Sequence, residues 1–237
     1  MLLKILKQRF SEILTLLGMS VFGYIFGEIL LVVIMRIDQE STTFEIATMM
    51  VAIIALVSMI IMGIFQFPSQ FNMAVGMGVV RKVFVPCYYL SNVLIAAVQY
   101  GMIVAAHYLE NMWIQKLYPN LEKEAGIEQI LFTNYTIPVI LMLAAIQIIA
   151  GCCILKFGKK AFWILWAVWM LLCIAPARIS DVVENNPEGN LAVAIHGIGS
   201  FFQSVSVSSM NVVILMVTVV CLVSSWLLAR RQQVTNL

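Results

Sequence analysis

The chain has 237 residues, of which 62% are hydrophobic and 11% charged, with a formal net charge of +2. An average soluble domain is roughly 45 to 50% apolar and about 25% charged. So few charged side chains cannot shield such an apolar majority from water, which excludes an ordinary soluble fold and leaves lipid as the solvent for most of the chain.

Apolar runs of the roughly 17 to 25 residues needed to cross hydrocarbon occur six times, at about 11–35, 46–65, 83–107, 135–155, 161–179 and 210–229. The runs are continuously apolar where a membrane barrel would alternate, and lipid obliges each span to satisfy its own backbone hydrogen bonds. The predicted fold is therefore all-α: a polytopic bundle of six transmembrane helices forming a single domain over 1–237.

Before the first span, over about 1–10, Leu3, Leu6 and Phe10 share one helical face and Lys4, Lys7 and Gln8 the other. That pattern predicts an interfacial elbow helix; the other reading is a basic leader. In span one, Gly23 and Gly27 have the Gly-x-x-x-Gly spacing that permits close helix approach, either in a dimer or within the chain. Glu28 follows, and a carboxylate facing lipid at the bilayer centre costs roughly 2.5 to 3.5 kcal/mol. It sits toward the outer end of its span, where it either reaches the interface and Arg36 or lines a polar pathway with Tyr24.

Between spans two and three, Pro68 and Ser69 can start a helix and Gly76 and Gly78 can end it, with Phe67, Phe71 and Val75 on one face. A mere linker would be short and polar. These aromatic residues either dock onto a partner or continue span two at the interface. Span three carries Asn92 and Gln99 on a shared face. The acidic segment from Tyr108 to Asn134 is expected to form a small external cap without chemistry. Span five is almost wholly apolar, with Trp163, Trp166 and Trp169. Between Pro176 and Ser209 the chain is first polar, then apolar from Leu191 to Phe202 around a Gly-x-Gly break. That stretch is too short to cross and predicts an external re-entrant hairpin.

With six spans both termini share one side. That side collects Lys4, Lys7, Arg9, Arg81, Lys82, Lys156, Lys159, Lys160, Arg230 and Arg231 against Glu12 alone, while the opposite loops are acidic. The positive-inside rule then makes both termini cytoplasmic. The cysteines Cys87, Cys152, Cys153, Cys173 and Cys221 all fall in or beside spans, so no disulfide is expected. The first run is too long for the apolar core of a cleaved signal and is expected to persist as a span.

No nucleophile elbow, His-Glu-x-x-His, Cys-x-x-Cys or pair of intramembrane acids is present, so no catalytic residue, metal site or cofactor is expected. Gly158-Lys159-Lys160 lacks the remaining parts of a phosphate loop, so the chain does not hydrolyse ATP by itself. Sparse polar groups within the spans suit an amphipathic or hydrophobic cargo better than ions or sugars. Lipid is the expected surrounding, and nucleic acid is not an expected partner.

The elbow, the six spans, the aromatic segment after span two and the external hairpin before span six together resemble the type 2 ABC permeases, the membrane subunits of bacterial ABC exporters. Phe71-Asn72 followed by Gly78-Val79-Val80-Arg81-Lys82 is similar to the Gly-x-x-Arg-Lys signature after span two in many short permeases of this kind. The resemblance covers the whole chain in topology and about a dozen residues in sequence.

It implies a plasma-membrane exporter in which two permease subunits, identical or related, meet around a path above two separate ATPase subunits. The segment from Gln66 to Lys82 would be the coupling helix, with Phe67, Phe71 or Val75 in a groove of the ATPase and Arg81 and Lys82 at its acidic rim or on lipid phosphates. His196, Gly197, Gly199 and Phe202 would close the outer gate, and Tyr24, Glu28, Asn92 and Gln99 would be the polar groups available to the path. Cargoes of such exporters include antimicrobial peptides, lantibiotics, drugs and lipids. Two other classes compete: a substrate-binding membrane subunit of a vitamin-type importer, which needs an external polar and aromatic pocket and no docking helix, and a non-transporting immunity or scaffold protein, which needs no ATPase.

Overall fold

A computed structural model of the chain describes residues 7, 9–38, 42–43, 45–117, 122–123, 127–185, 189, 193, 195 and 205–230. Most of the expected elbow, and the hairpin with His196, Gly197, Gly199 and Phe202, lie outside the described residues. Six long helices carry the fold: α1 (Phe10–Asp38), α2 (Ile46–Gly76), α3 (Arg81–Leu117), α5 (Thr136–Phe157), α6 (Lys159–Asn185) and α7 (Val207–Arg230), with a single turn, α4 (Glu128–Leu131), between α3 and α5. Five of the six, all but α6, are long and apolar enough to cross a membrane, and α6 covers the stretch expected as span five. The architecture is that of a polytopic, multi-pass membrane protein.

Two helices outrun the bilayer. At 1.5 Å per residue the 31 residues of α2 reach about 46 Å and the 37 of α3 about 55 Å, against roughly 30 Å of hydrocarbon. The separate helix expected between Pro68 and Gly76 is absent, because α2 continues without a break through Pro68. Proline there removes the N–H that would have met the Ile64 carbonyl and crowds that carbonyl with its ring, a cost offset by the burial of Phe67 and Phe71 on either side of it. Gly78, at φ +82°, then makes the reversal into α3, a conformation that a residue with a Cβ resists. Met77 N–H donates to the Met73 carbonyl at 3.0 Å and Val79 N–H to the Ala74 carbonyl at 3.0 Å, closing the end of α2. Gly158, at φ +59°, makes the corresponding break between α5 and α6.

α2 lies at the centre, packed against α1, α3 and α5, while α7 packs on α5 and α3. The α1–α2 contact uses the glycine pair of span one. A Cβ on Gly27 would collide with the Ala47 backbone, and one on Gly23 would collide with the Ile54 side chain. Of the two readings of Gly23 and Gly27, contact within the chain is the one observed. The α2–α5 contact is equally close: Gly63 lies against Gln147, and Gly151 against the Phe67 ring.

The helices share a basic end, with the α2–α3 and α5–α6 turns, and an opposite acidic end. The core near the basic end is aromatic: Phe67, Phe71, Phe84 and Tyr88 are buried with Ile148, Cys152, Leu155 and Ala229 around them. Phe67 meets Tyr88 edge-on at 5.1 Å between centroids, and Phe71 meets Phe84 at 5.4 Å. At the acidic end the α1–α2 and α3–α4 connections form an unforeseen two-residue parallel ladder, Thr42 with Glu122 and Thr43 with Lys123.

Candidate functional site

The sequence places charges at the two ends of the bundle, and the structure puts several of them inside it. At the basic end Arg9, counted above among the cations of the side that carries both termini, is only 3% exposed. Its Nε donates to Glu12 Oε2 at 2.8 Å and its Nη1 to Ser91 Oγ at 2.8 Å, with Asn92 Oδ1 a further acceptor. The guanidinium also stands 4.7 Å from the centre of the Tyr88 ring. Glu12 accepts in addition from Gln70 and, with the Gln66 amide nitrogen turned toward it, from Gln66 at 2.8 Å. Asn92 passes the network on by donating to Gln147 Oε1 at 3.3 Å. One buried ion pair thus ties the start of α1 to α2, α3 and α5. Its carboxylate is committed to donors from two helices, an arrangement that fixes position.

The acidic end has its own buried carboxylate. Glu110, fully buried on the extension of α3, accepts the Ala47 and Thr48 N–H groups at 2.8 and 2.7 Å. Those amides belong to the first turn of α2, where no helical carbonyl is available to them and where the helix dipole favours an anion. Beside it, His107 Nδ1 and Glu45 Oε2 are 2.8 Å apart. The segment expected to be a cap without chemistry begins, therefore, as a continuation of α3 that clamps the start of α2.

The polar groups expected along a pathway fall into three places. Glu28 is half-buried, with Tyr24 and Glu110 as its electrostatic neighbours; it makes no ion pair with Arg36 among the described residues. Asn92 belongs to the Arg9 network. Gln99 donates to Ser58 Oγ at 3.1 Å near the middle of α3.

The residues expected to couple to a partner divide in the same way. Phe67 and Phe71 are 0% exposed, so they cannot enter a groove on another protein without dismantling the core of this one; of the two readings, continuation of span two is the one observed. Asn72 and Val75 are half-buried, Gly78 forms the turn, and Arg81 is half-buried. Lys82 is exposed, and its carbonyl accepts Trp226 Nε1–H from α7 at 3.1 Å. What the segment does present is Met73, Met77 and Val80, at 50%, 66% and 60% exposure. Sequence reasoning passed over these three because it sought the aromatic stripe, and at a helix end the largest side chains are also the best core formers.

Among the described residues no group of three or more His, Cys, Asp or Glu side chains is placed to hold a metal ion. No protein family, curated protein or solved structure matches the chain. The fold defines a multi-pass membrane protein whose helix ends are tied together by buried polar groups: the Arg9–Glu12 pair at one end and the Glu110 carboxylate on the first turn of α2 at the other.

Proposed function

We propose that the chain is the membrane permease subunit of an ATP-driven exporter, working by alternating access with a second permease subunit and with separate ATPase subunits at its basic, cytoplasmic end. The observation that carries this reading is the α2–α3 junction. It joins two helices that are longer than hydrocarbon is thick, rests on a buried aromatic base, and exposes the apolar side chains of Met73, Met77 and Val80 beside Lys82. A turn so braced transmits a push at its tip to the helices beneath it, which a coupling element between an ATPase and a bundle requires. This assigns contact with the ATPase to Met73, Met77, Val80 and Lys82, and assigns Phe67 and Phe71 to the brace. The cargo is amphipathic or hydrophobic, in keeping with helix surfaces as apolar as that of α6, where Trp163, Ile164 and Leu171 are all more than 60% exposed.

The test is copurification from native membranes. Tagged protein brings down an ABC ATPase, and Met77→Glu with Val80→Glu releases it while the permease keeps its melting temperature. Failure to recover any ATPase, or its retention by the double variant, defeats the reading. A reporter fused after Leu237 is expected on the cytoplasmic side.

A further inference from the structure

Near the basic end a groove of about 300 Å³ runs between α3 and α7, walled by Val85, Pro86 and Tyr89 on one side and Leu222, Val223 and Trp226 on the other. Val223, 51% exposed, leaves it open to the surroundings. The two side-chain donors of the walls are already engaged: the Tyr89 hydroxyl donates to the Leu141 carbonyl at 3.4 Å, and Trp226 Nε1–H donates to the Lys82 carbonyl at 3.1 Å. The second bond has its origin in the sequence. Pro86 lacks the N–H that would have met the Lys82 carbonyl inside α3, and the indole of α7 supplies one in its place. The walls therefore offer apolar contact, and the indole is fixed at the end of the groove next to Lys82.

That end is cationic. Lys82 precedes Val85 and Pro86 by one turn of α3, and Arg230 follows Trp226 by one turn of α7, spacings that keep each on the helix face that lines the groove. The Arg230 guanidinium lies 5.7 Å from the centre of the Trp226 ring, the same ring that holds the Lys82 backbone. Both cations are exposed, and among the described residues neither forms an ion pair. Glu12 is the sole acidic side chain of this end, and Arg9, Gln66 and Gln70 occupy it. A neutral lipid would fill the groove and leave both charges unmet, and a free anion would meet the charges and leave the groove bare. An amphiphile with an anionic head and a hydrocarbon tail matches both parts.

We infer that the α3–α7 groove is a binding site for an anionic phospholipid of the leaflet at the basic end, with its phosphate at Lys82 and Arg230 and an acyl chain laid along Val85, Tyr89, Leu222 and Val223. Basic groups at the mouth of a pocket between transmembrane helices attract such headgroups. Of these residues only Lys82 is shared with the exporter reading, and lipid binding needs no ATPase, so either reading can fail alone.

The purified protein in a neutral detergent, titrated with dioleoyl phosphatidylglycerol and followed by native mass spectrometry, binds its first lipid about tenfold more tightly than it binds dioleoyl phosphatidylcholine, the added attraction of two cations. Lys82→Gln with Arg230→Gln removes that preference. Lys159→Gln with Lys160→Gln, which takes the same charge from exposed positions at the start of α6, keeps it. Val223→Trp, which fills the groove from an exposed position of α7, weakens phosphatidylglycerol about tenfold while the melting temperature holds. Equal affinity of the unaltered protein for the two lipids overturns the inference, as does a preference that survives in the Lys82 and Arg230 variant. An equal loss in the Lys159 and Lys160 variant would show that net charge alone acts, and undiminished binding in Val223→Trp would place the lipid elsewhere; either result also overturns it.

Discussion

Gly27 of α1 lies directly on the backbone of Ala47 in the first turn of α2, so close that a single added carbon would overlap the Ala47 Cα. At Gly23, one turn earlier, the obstacle is the tip of the Ile54 side chain, which can rotate away. Gly27→Val is therefore expected to force α1 and α2 apart and lower stability by about 2 kcal/mol or more, while Gly23→Ala costs less. Gly101, on an exposed face of α3 with nothing within 4 Å, serves as the control: Gly101→Ala should leave the melting temperature in detergent level or raised. A loss at Gly27 no larger than that of Gly101→Val would show that the β-branched side chain itself, and not close approach to Ala47, sets the cost.

That contact also shows where sequence reasoning runs out. The six helices were legible because hydrocarbon imposes a length and an apolar composition on anything that crosses it, and Gly78 announced the end of α2 through its conformational freedom. Gly23 and Gly27 announced that something comes close but not what, since the spacing is the same for a neighbour in the chain and for a second copy. Pro68 misled, because its effect on a helix depends on whether the flanking rings find a core. Arg9 and Glu110 misled for another reason: counting charges by loop assigns each to a side of the membrane, and burial is settled by partners scattered over the sequence, such as Ser91 and Asn92 for Arg9.

The Arg9–Glu12 pair predicts a non-additive pattern. Removing one partner leaves the other ion among buried groups, which costs on the order of 3 to 5 kcal/mol, whereas replacing both by apolar residues of similar volume is often close to neutral. Arg9→Met and Glu12→Leu should each lower the melting temperature markedly, and the double variant should lie above both. Arg9→Lys keeps the charge but loses the fork that reaches Glu12 and Ser91 together, so it should recover only part of the loss. Additive losses would mean that the two side chains act independently.

At the other end, Glu110→Ala removes the acceptor of two buried N–H groups and is expected to cost about 2 kcal/mol or more. Glu110→Gln keeps one acceptor oxygen and should cost less than Glu110→Ala. The site of the damage is the informative readout: hydrogen exchange at Ala47 and Thr48 should accelerate in Glu110→Ala while the aromatic core around Phe67 and Tyr88 keeps its protection. Uniform acceleration through both regions would show that Glu110 supports the whole bundle.

Phe67 and Gly151 predict a rescue by size. The ring occupies the space that a side chain at 151 would need, with its Cβ and Cγ at 2.6 and 2.8 Å from where a Cβ would sit. Phe67→Ala should destabilise by about 3 kcal/mol through the cavity that it leaves, and Gly151→Val should destabilise by overpacking. Phe67→Leu with Gly151→Val returns part of the lost volume to the other side of the contact, so the pair should be more stable than the sum of its single losses implies. Met77→Ser, three residues beyond Ala74, the last buried residue of that helix, and 66% exposed, should leave stability within about 0.5 kcal/mol. Measured in one detergent by thermal unfolding, the set separates the brace from the tip. If Phe67→Ala proves as mild as Met77→Ser, the ring is not held between α2 and α5, and the stiffness attributed to the junction fails with it.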